Sequence, residues 1–415
     1  MSQFYSITKI KDQISTEDVG ISIKSLLKLI QGNEFEEELK IEFKSEIETN
    51  TFITIPGSAT LVSDVLSRDF TFRKFDVMAG LDNIDISSND DFKNLSISFQ
   101  NLEDPKVVEI VGGESFTATA IHSSGSDFLD GFFRMKKFTE FLKEHKNYEL
   151  IDYNLNQLKS QHKEDKKFER NYRGLKDSEG DYFIRAITST NRYYDYNIRF
   201  SIFIGIMSLY RASNSNQKVY SVNYYSFDES NIRITFEQSG GVEINKVGTA
   251  KYSIELSNDE IKREAFRFRG ISSIFFQNGE KHFDIQPRTD KNYSSTILSI
   301  SHGTLPKNWL NKINEISSSI RNTQENLISD IKEIESIKHP DQVRFALHQS
   351  FKRASSEQIT HHKNEIVQIL SAKITSMSDL LNSLNKIHYL ANEDLEAREY
   401  IRYVFHDCLV RKRNN

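Results

Sequence analysis

Between Glu38 and Lys44 the chain alternates: Leu39, Ile41 and Phe43 are apolar, while Glu38, Lys40, Glu42 and Lys44 are charged. A period of two describes a half-buried antiparallel strand, and Phe52, Ile53 and Ile55 before Pro56-Gly57 extend the same texture. Upstream, Ser15-Thr16-Glu17-Asp18 has the spacing of a capping box. Ile23, Leu26, Leu27 and Ile30 then recur at helical intervals, which predicts a helix over about 16–31. Apolar runs at 70–77, 95–99, 107–111 and 116–121, separated by Asp/Asn/Ser/Gly clusters, predict further strands. Residues 1–130 therefore read as a β-rich domain behind one helix.

Phe132, Phe133, Phe138, Phe141 and Leu142 predict a short helix, and the charged stretch 159–180 reads as an exposed linker, so 131–180 is set apart as a connecting segment. Residues 181–303 read as a mixed domain with antiparallel strands. Strand signals stand at 182–184, 219–227, 232–236, 252–256, 265–268 and 274–276, a helical run at 198–210, and a hairpin signal at Asn278-Gly279. Beyond Pro306 the period changes to that of helices. Trp309, Ile313, Ile316, Ile320, Leu327, Ile331 and Ile334 share one helical face, Pro340 interrupts it, and further faces follow around Leu347, Ile366, Leu384 and Val404. The fold class is α+β: an acidic β-rich N-terminal domain (1–130), a connecting segment, a mixed domain (181–303) and a helical region (304–415). The last packs back on the sheet, or serves for self-association or for a protein partner.

Composition narrows the class. With 415 residues, 37% hydrophobic and 27% charged, and only 5 Pro and 17 Gly, the chain is neither disordered nor fibrous. A single Cys, Cys408, excludes an internal disulfide. No stretch reaches the roughly 18 uninterrupted apolar residues of a membrane span, and the longest apolar run is 200–210. A cytoplasmic location without membrane contact is expected. The net charge of −5 is unevenly spread: residues 1–130 carry 11 Lys+Arg against 23 Asp+Glu, and the remainder 43 against 36. A basic block behind an acidic one directs attention to nucleic acid.

Several motifs invite chemistry. Glu38 and Lys40, two apart on the expected strand, have the spacing at which metal-dependent nucleases hold a divalent ion and orient water, but the second carboxylate must come from a neighbouring strand and Asp18 lies upstream at the expected helix cap, so the pattern is incomplete. Arg344 with His348 and Arg402 with His406 place a phosphate-holding and a proton-transferring group on one helical face. His361-His362 with Glu365, and His406-Asp407 with Cys408, lack a partner cluster at zinc-site spacing. Gly112-Gly113 and Gly240-Gly241 lack the context of a phosphate loop. No catalytic residue, metal or cofactor is assigned.

Basic residues interleaved with aromatics remain: Arg185, Arg192 and Tyr193, then Lys262, Arg263, Arg267 and Arg269 around Phe266 and Phe268. Arginines on one strand face neutralise phosphates and exposed tyrosines stack on unpaired bases, so these seven residues are the expected DNA or RNA contacts. The alternative is strand alternation with the phenylalanines inward.

The stretch Tyr182 to Ser189, with Arg192-Tyr193 after it, resembles a family of phage- and plasmid-associated proteins of uncharacterised function, which has a similar Arg-Ala-x-x-Ser-x-x-Tyr passage. Ser257-Asn258-Asp259-Glu260, Asn278-Gly279 and Leu380 to Asn385 are similar too, so the likeness covers about 180–410; Gln277 stands where that family has Cys. The resemblance implies a mobile-element or phage-conflict setting and carries over no catalytic residue. The expected function is that of a non-enzymatic nucleic-acid-binding or assembly protein. A metal-dependent nuclease and a purely structural scaffold or shell subunit are the alternatives.

Overall fold

The computed structural model describes residues 8–10, 18–68, 72–88, 95–190, 193–245, 247–261, 264–277, 282–288, 295–391 and 394–410. The chain opens with β1 (Thr8–Ile10), β2 (Ile21–Ser22), α1 (Ile23–Leu27), α2 (Glu36–Glu42), α3 (Lys44–Thr49), β3 (Phe52–Ile53) and α4 (Ser58–Arg68). Its alternating stretch is helical, not a strand. Phe35, Leu39 and Phe43 are buried at intervals of four, while Ile41, which alternation would bury, is 73% exposed. The helix expected at 16–31 shrinks to α1, capped by Ser22, whose hydroxyl accepts from the Ser25 amide at 3.1 Å. Asp18 caps α4 instead: its carboxylate accepts from the amide and hydroxyl of Thr60, both at 2.7 Å.

Next come β4 (Arg73–Ala79), β5 (Ile84–Ser88), β6 (Leu95–Phe99), α5 (Pro105–Val111), β7 (Phe116–Ala120), α6 (Ser124–Phe133), α7 (Lys136–Glu144), α8 (Tyr148–His162), β8 (Arg170–Lys176) and β9 (Tyr182–Thr188). They build a sheet in the order β4-β8-β9-β7-β6-β5, antiparallel except where β7 and β9 run parallel, with the helices closing its core. The run at 107–111 is helix α5, not a strand, because Asp104 caps it, Pro105 opens it, and Gly112 ends it with φ of 77°. The expected linker at 159–180 holds the end of α8 and the whole of β8, an inner strand between β4 and β9 whose Tyr172 and Leu175 are fully buried.

The chain continues through α9 (Ile198–Asn216), β10 (Tyr220–Phe227), β11 (Asn231–Gln238), β12 (Val242–Ile244), β13 (Gly248–Asp259), β14 (Phe266–Phe276), β15 (His282–Ile285) and β16 (Thr296–Ile300). The second sheet runs β1-β10-β11-β13-β14-β15, with β12 on β13 and β16 on β14. The signals at 265–268 and 274–276 are one strand, β14. Asn278-Gly279 lies outside the described residues, but β14 and β15 pair antiparallel on either side, with Phe275 opposite His282. Buried α9 lies on this sheet, and Leu26, Leu39, Phe43 and Leu61 of the segment from α1 to α4 join the same core, so residues 21–68 belong with α9 rather than with the first sheet.

The tail is helical: α10 (Pro306–Asn314), α11 (Ile316–Glu335), α12 (Pro340–Arg353), α13 (Lys363–Ile369), α14 (Met377–Leu390) and α15 (Leu395–Leu409). Its apolar faces turn inward. Trp309, Ile313, Ile316, Ile320 and Leu327 enter the core with α9, while Leu347, Ile366, Leu384 and Phe405 close over Ile274 and Phe283 of the second sheet. The faces expected to offer self-association are thus covered by the chain's own sheet. Among the described residues, a mixed six-stranded sheet, an antiparallel eight-stranded sheet and the small β2-β3 pair, with helices between them and after them, make the architecture α+β. No helix is long and apolar enough to cross a membrane among the described residues.

Candidate functional site

Phe266, Arg267, Phe268 and Arg269 follow the pleat of β14: both phenylalanines are fully buried in the core, and the arginines leave the opposite face. Register places Arg269 opposite Glu255 of β13 and Arg267 opposite Ser299 of β16. α15 covers part of that face, and the charges between sheet and helix interlock. Arg269 donates to Glu399, to Glu264 at 2.9 Å, to Ser257 at 3.2 Å and to Glu255 at 3.3 Å. Arg233 lies 3.1 Å from Glu264 and 3.4 Å from Glu399. Arg402 joins Glu255 at 2.8 Å to Asp284 at 3.1 Å, and Arg398 reaches the same Asp284 oxygen at 3.1 Å. Burial pushes the Glu255 carboxyl up, but the guanidiniums of Arg402, Arg269 and Arg233 outweigh it and hold it down at about 2.

Beside this lattice opens a cleft of about 780 Å³ between β14, β16, α10, the start of α11, and α15. Among the described residues Arg267, Arg269, Arg288 and Lys312 line it together with the carboxylate of Glu315. The Arg267 and Arg288 side chains are 39% and 44% exposed. Arg288 rests over the rings of Tyr403 and Tyr400 at 5.3 and 5.6 Å and touches Asp407 at 3.3 Å. The weakly held Arg267, 3.7 Å from Glu264, and the exposed Lys312 keep donors directed to solvent. Such a cleft can hold phosphate groups through bidentate guanidinium contacts.

The other expected contacts lie elsewhere. Arg185 is 2% exposed and donates to Glu260 at 2.9 Å and to Ser230 at 3.0 Å, so it is an interior ion pair and not a phosphate contact. Tyr193 stacks on His302 at 4.9 Å, carries the Arg173 guanidinium 4.1 Å over its ring, and donates its hydroxyl to the Glu260 carbonyl, which leaves no free face for a base. Arg192, Lys262 and Arg263 lie outside the described residues. Of the four that are described, Arg267 and Arg269 come together, with Arg269 already neutralised, while Arg185 and Tyr193 lie in a second place.

The second place is a seam between the sheets. Lys74, Arg173, Arg185 and His122 come from the first sheet and its loops; Glu260, Asp195 and Glu229 come from around α9 and the second. Lys74 holds both oxygens of Glu260 at 3.0 and 2.9 Å, Arg173 holds Asp195 at 2.8 Å, and His122 meets Glu229 at 2.5 Å. Glu260 also accepts from the Ile198 amide at 3.0 Å, the first of α9. A recess of about 500 Å³ adjoins this seam, with Lys74, Arg173, Arg185, Asp195 and Glu260 in its lining.

The nuclease geometry is absent. On α2, Glu38 and Lys40 sit about 200° apart around the axis and cannot share a face, and Lys40 pairs with Glu36 at 2.6 Å. Arg344 is held by Asp341 and the Leu370 carbonyl, Arg402 by the lattice, and His406 by Asp330 at 2.8 Å. Among the described residues two groups bring three metal-ligand atoms together: Asp177, Glu179 and Asp181, and His282, Asp284 and His388. In the first, Asp177 is engaged by the amides of Glu179 and Asp181 at 3.0 and 2.7 Å. Comparison with protein-family models, with curated proteins and with solved structures finds no match to this chain.

Proposed function

We propose that the chain is a non-enzymatic nucleic-acid-binding protein of a phage-, plasmid- or defence-associated system, and that the cleft lined by Arg267, Arg269, Arg288 and Lys312 holds the phosphate backbone. One observation carries the reading: among the described residues, the part-exposed Arg267 and Arg288 and the exposed Lys312 join the already paired Arg269 on the wall of a cleft of about 780 Å³. A strand passing between β16 and α10 gains phosphate contacts from both walls. Tyr403 and Tyr400 stand beside Arg288, where a base edge or ring meets an aromatic surface. A recess flanked by helices suits a single strand, whereas a duplex needs an element that projects into its groove.

The test uses fluorescent single-stranded DNA and RNA, and a duplex of the same sequence, titrated with the full chain at several salt concentrations. Three to four phosphate contacts on a single strand predict a log–log salt slope of about −2 to −3. Arg267→Glu with Lys312→Glu should lower affinity at least about tenfold and flatten that slope. A wild type without salt-sensitive binding, or a double variant that binds like wild type, overturns the reading. A defined large oligomer free of nucleic acid would replace it with the scaffold role.

A further inference from the structure

His282 and Asp284 stand two apart on β15 and leave the same face of the strand. α14 packs against β15 and brings His388 to them. One ring nitrogen of each histidine and one carboxylate oxygen of Asp284 lie within 4.8 Å of one another. The two imidazoles are 5.0 Å apart, centre to centre, and tilted by 62°.

His388 is 2% exposed, and its Nδ1 has no hydrogen-bond partner. A buried imidazole nitrogen without a partner is costly in a purely structural role, and ligation removes that cost.

Outer contacts orient the donors, as around established metal sites. Ser273 donates to Asp284 Oδ1 at 2.8 Å, and Arg398 and Arg402 donate to Oδ2, both at 3.1 Å. Arg402 is itself answered by Glu255 at 2.8 Å. Asn385 of α14 donates to the His282 carbonyl at 2.8 Å and fixes helix against strand.

We propose that His282, Asp284 and His388 form a binding site for a first-row divalent cation. Two imidazole nitrogens and one carboxylate oxygen, without thiolate, fit Zn²⁺ with a fourth position open to water on the side of the partly exposed His282. The ion ties the helical layer to the edge of the second sheet, independently of the cationic cleft.

The test titrates the full chain, freed of metal by chelator, with ZnCl₂ by calorimetry and with CoCl₂ by visible absorption. Expected are one Zn²⁺ per chain, a Co²⁺ ligand-field band saturating at one equivalent, and a rise in Tm with Zn²⁺. His388→Gln and His282→Gln should each weaken binding about tenfold or more, while His361→Gln/His362→Gln leaves it unchanged. Far-UV circular dichroism and the metal-free Tm establish that each variant is folded. If His388→Gln does not fold, His282→Gln and the wild-type Co²⁺ spectrum decide. Wild type without a one-equivalent Co²⁺ band, a folded His282→Gln that binds like wild type, or binding abolished by the His361/His362 double variant overturns the proposal.

Discussion

The Arg185 guanidinium on β9 meets the Glu260 carboxylate just beyond β13 at 2.9 Å, with both side chains 2% exposed, and this contact locks the first sheet to the second. Every cation named at the seam lies on one side of it and every carboxylate on the other. Removing Glu260 leaves the buried Arg185 guanidinium without its carboxylate. Glu260→Gln is expected to cost about 3–5 kcal/mol, because Arg185 and Lys74 lose their shared partner. Arg185→Met together with Glu260→Leu should cost less than the sum of the two single changes, since neither the guanidinium nor the carboxylate then stays buried without the other. Urea denaturation of the four chains measures both statements; additive costs would mean that the pair does not couple.

Acid should open the same seam. Burial pushes Glu260 up, while Lys74 and Arg185 bring it below its usual range to about 2, and Glu255 is likewise held at about 2. Both pKa values are depressed on folding, so their contribution is complete above the unfolded carboxylate value near 4.3 and disappears as pH falls toward 2. Wild type should lose stability steeply between about pH 4.5 and 2, and Glu260→Gln should show a shallower loss across that window. Thermal melts at half-unit steps measure the slopes. Equal slopes would remove Glu260 from the account.

How much of this was legible beforehand depended on the range of the forces involved. Local period found β6 at Leu95–Phe99, the buried helix from Ile198, and the C-terminal helices, because their apolar positions answer to one neighbouring layer. It failed at Leu39 and Phe43, where alternation and a spacing of four coexist; Phe35, four residues earlier, was the deciding signal. Asp104-Pro105 ahead and Gly112 behind marked α5, and cap chemistry outweighs the β-branched content of 107–111. Charge was hardest to place. Arg185 and Arg267 look alike in sequence, yet the partner that buries Arg185 lies 75 residues away, and the Arg269–Glu399 contact spans 130. For His282, Asp284 and His388 the sequence offered only the hairpin signal at Asn278-Gly279 ahead of the first two, and the third donor comes from α14, more than 100 residues on.

Gly205 of α9 faces Leu256, Phe236 and Phe268 of the second sheet. A Cβ there would stand 2.5 Å from Leu256 Cδ1, and the sheet side of α9 is buried throughout. Gly205→Ala therefore sets a better helix former against a steric clash with a packed leucine. The clash should win, with a net loss of about 1–3 kcal/mol, and Gly205→Val should lose more. Leu256→Ala in the Gly205→Ala background makes room for the new methyl, so it should cost less than Leu256→Ala alone. Chemical denaturation of the set checks the order, and a stabilised Gly205→Ala chain would show that the helix can shift away from the sheet.

Glu399 decides how much charge Arg269 presents to the cleft. It accepts from Arg269 and from Tyr403 and lies 3.4 Å from Arg233, and those two guanidiniums keep it ionised against its burial. Glu399→Gln keeps the shape and removes one negative charge beside Arg269, which already lines the cleft. Two effects follow with opposite consequences. Stability should fall by about 3 kcal/mol, since Arg233 and Arg269 are then underbalanced inside the protein. Affinity for single-stranded nucleic acid should rise severalfold at low salt, and the log–log salt slope should steepen by about 0.7, the increment for one more phosphate contact. Salt titrations of wild type and Glu399→Gln, at a temperature where both are folded, measure the difference. A less stable chain whose salt slope is unchanged would place any nucleic-acid contact away from Arg269, and Arg267→Glu would then leave binding intact as well.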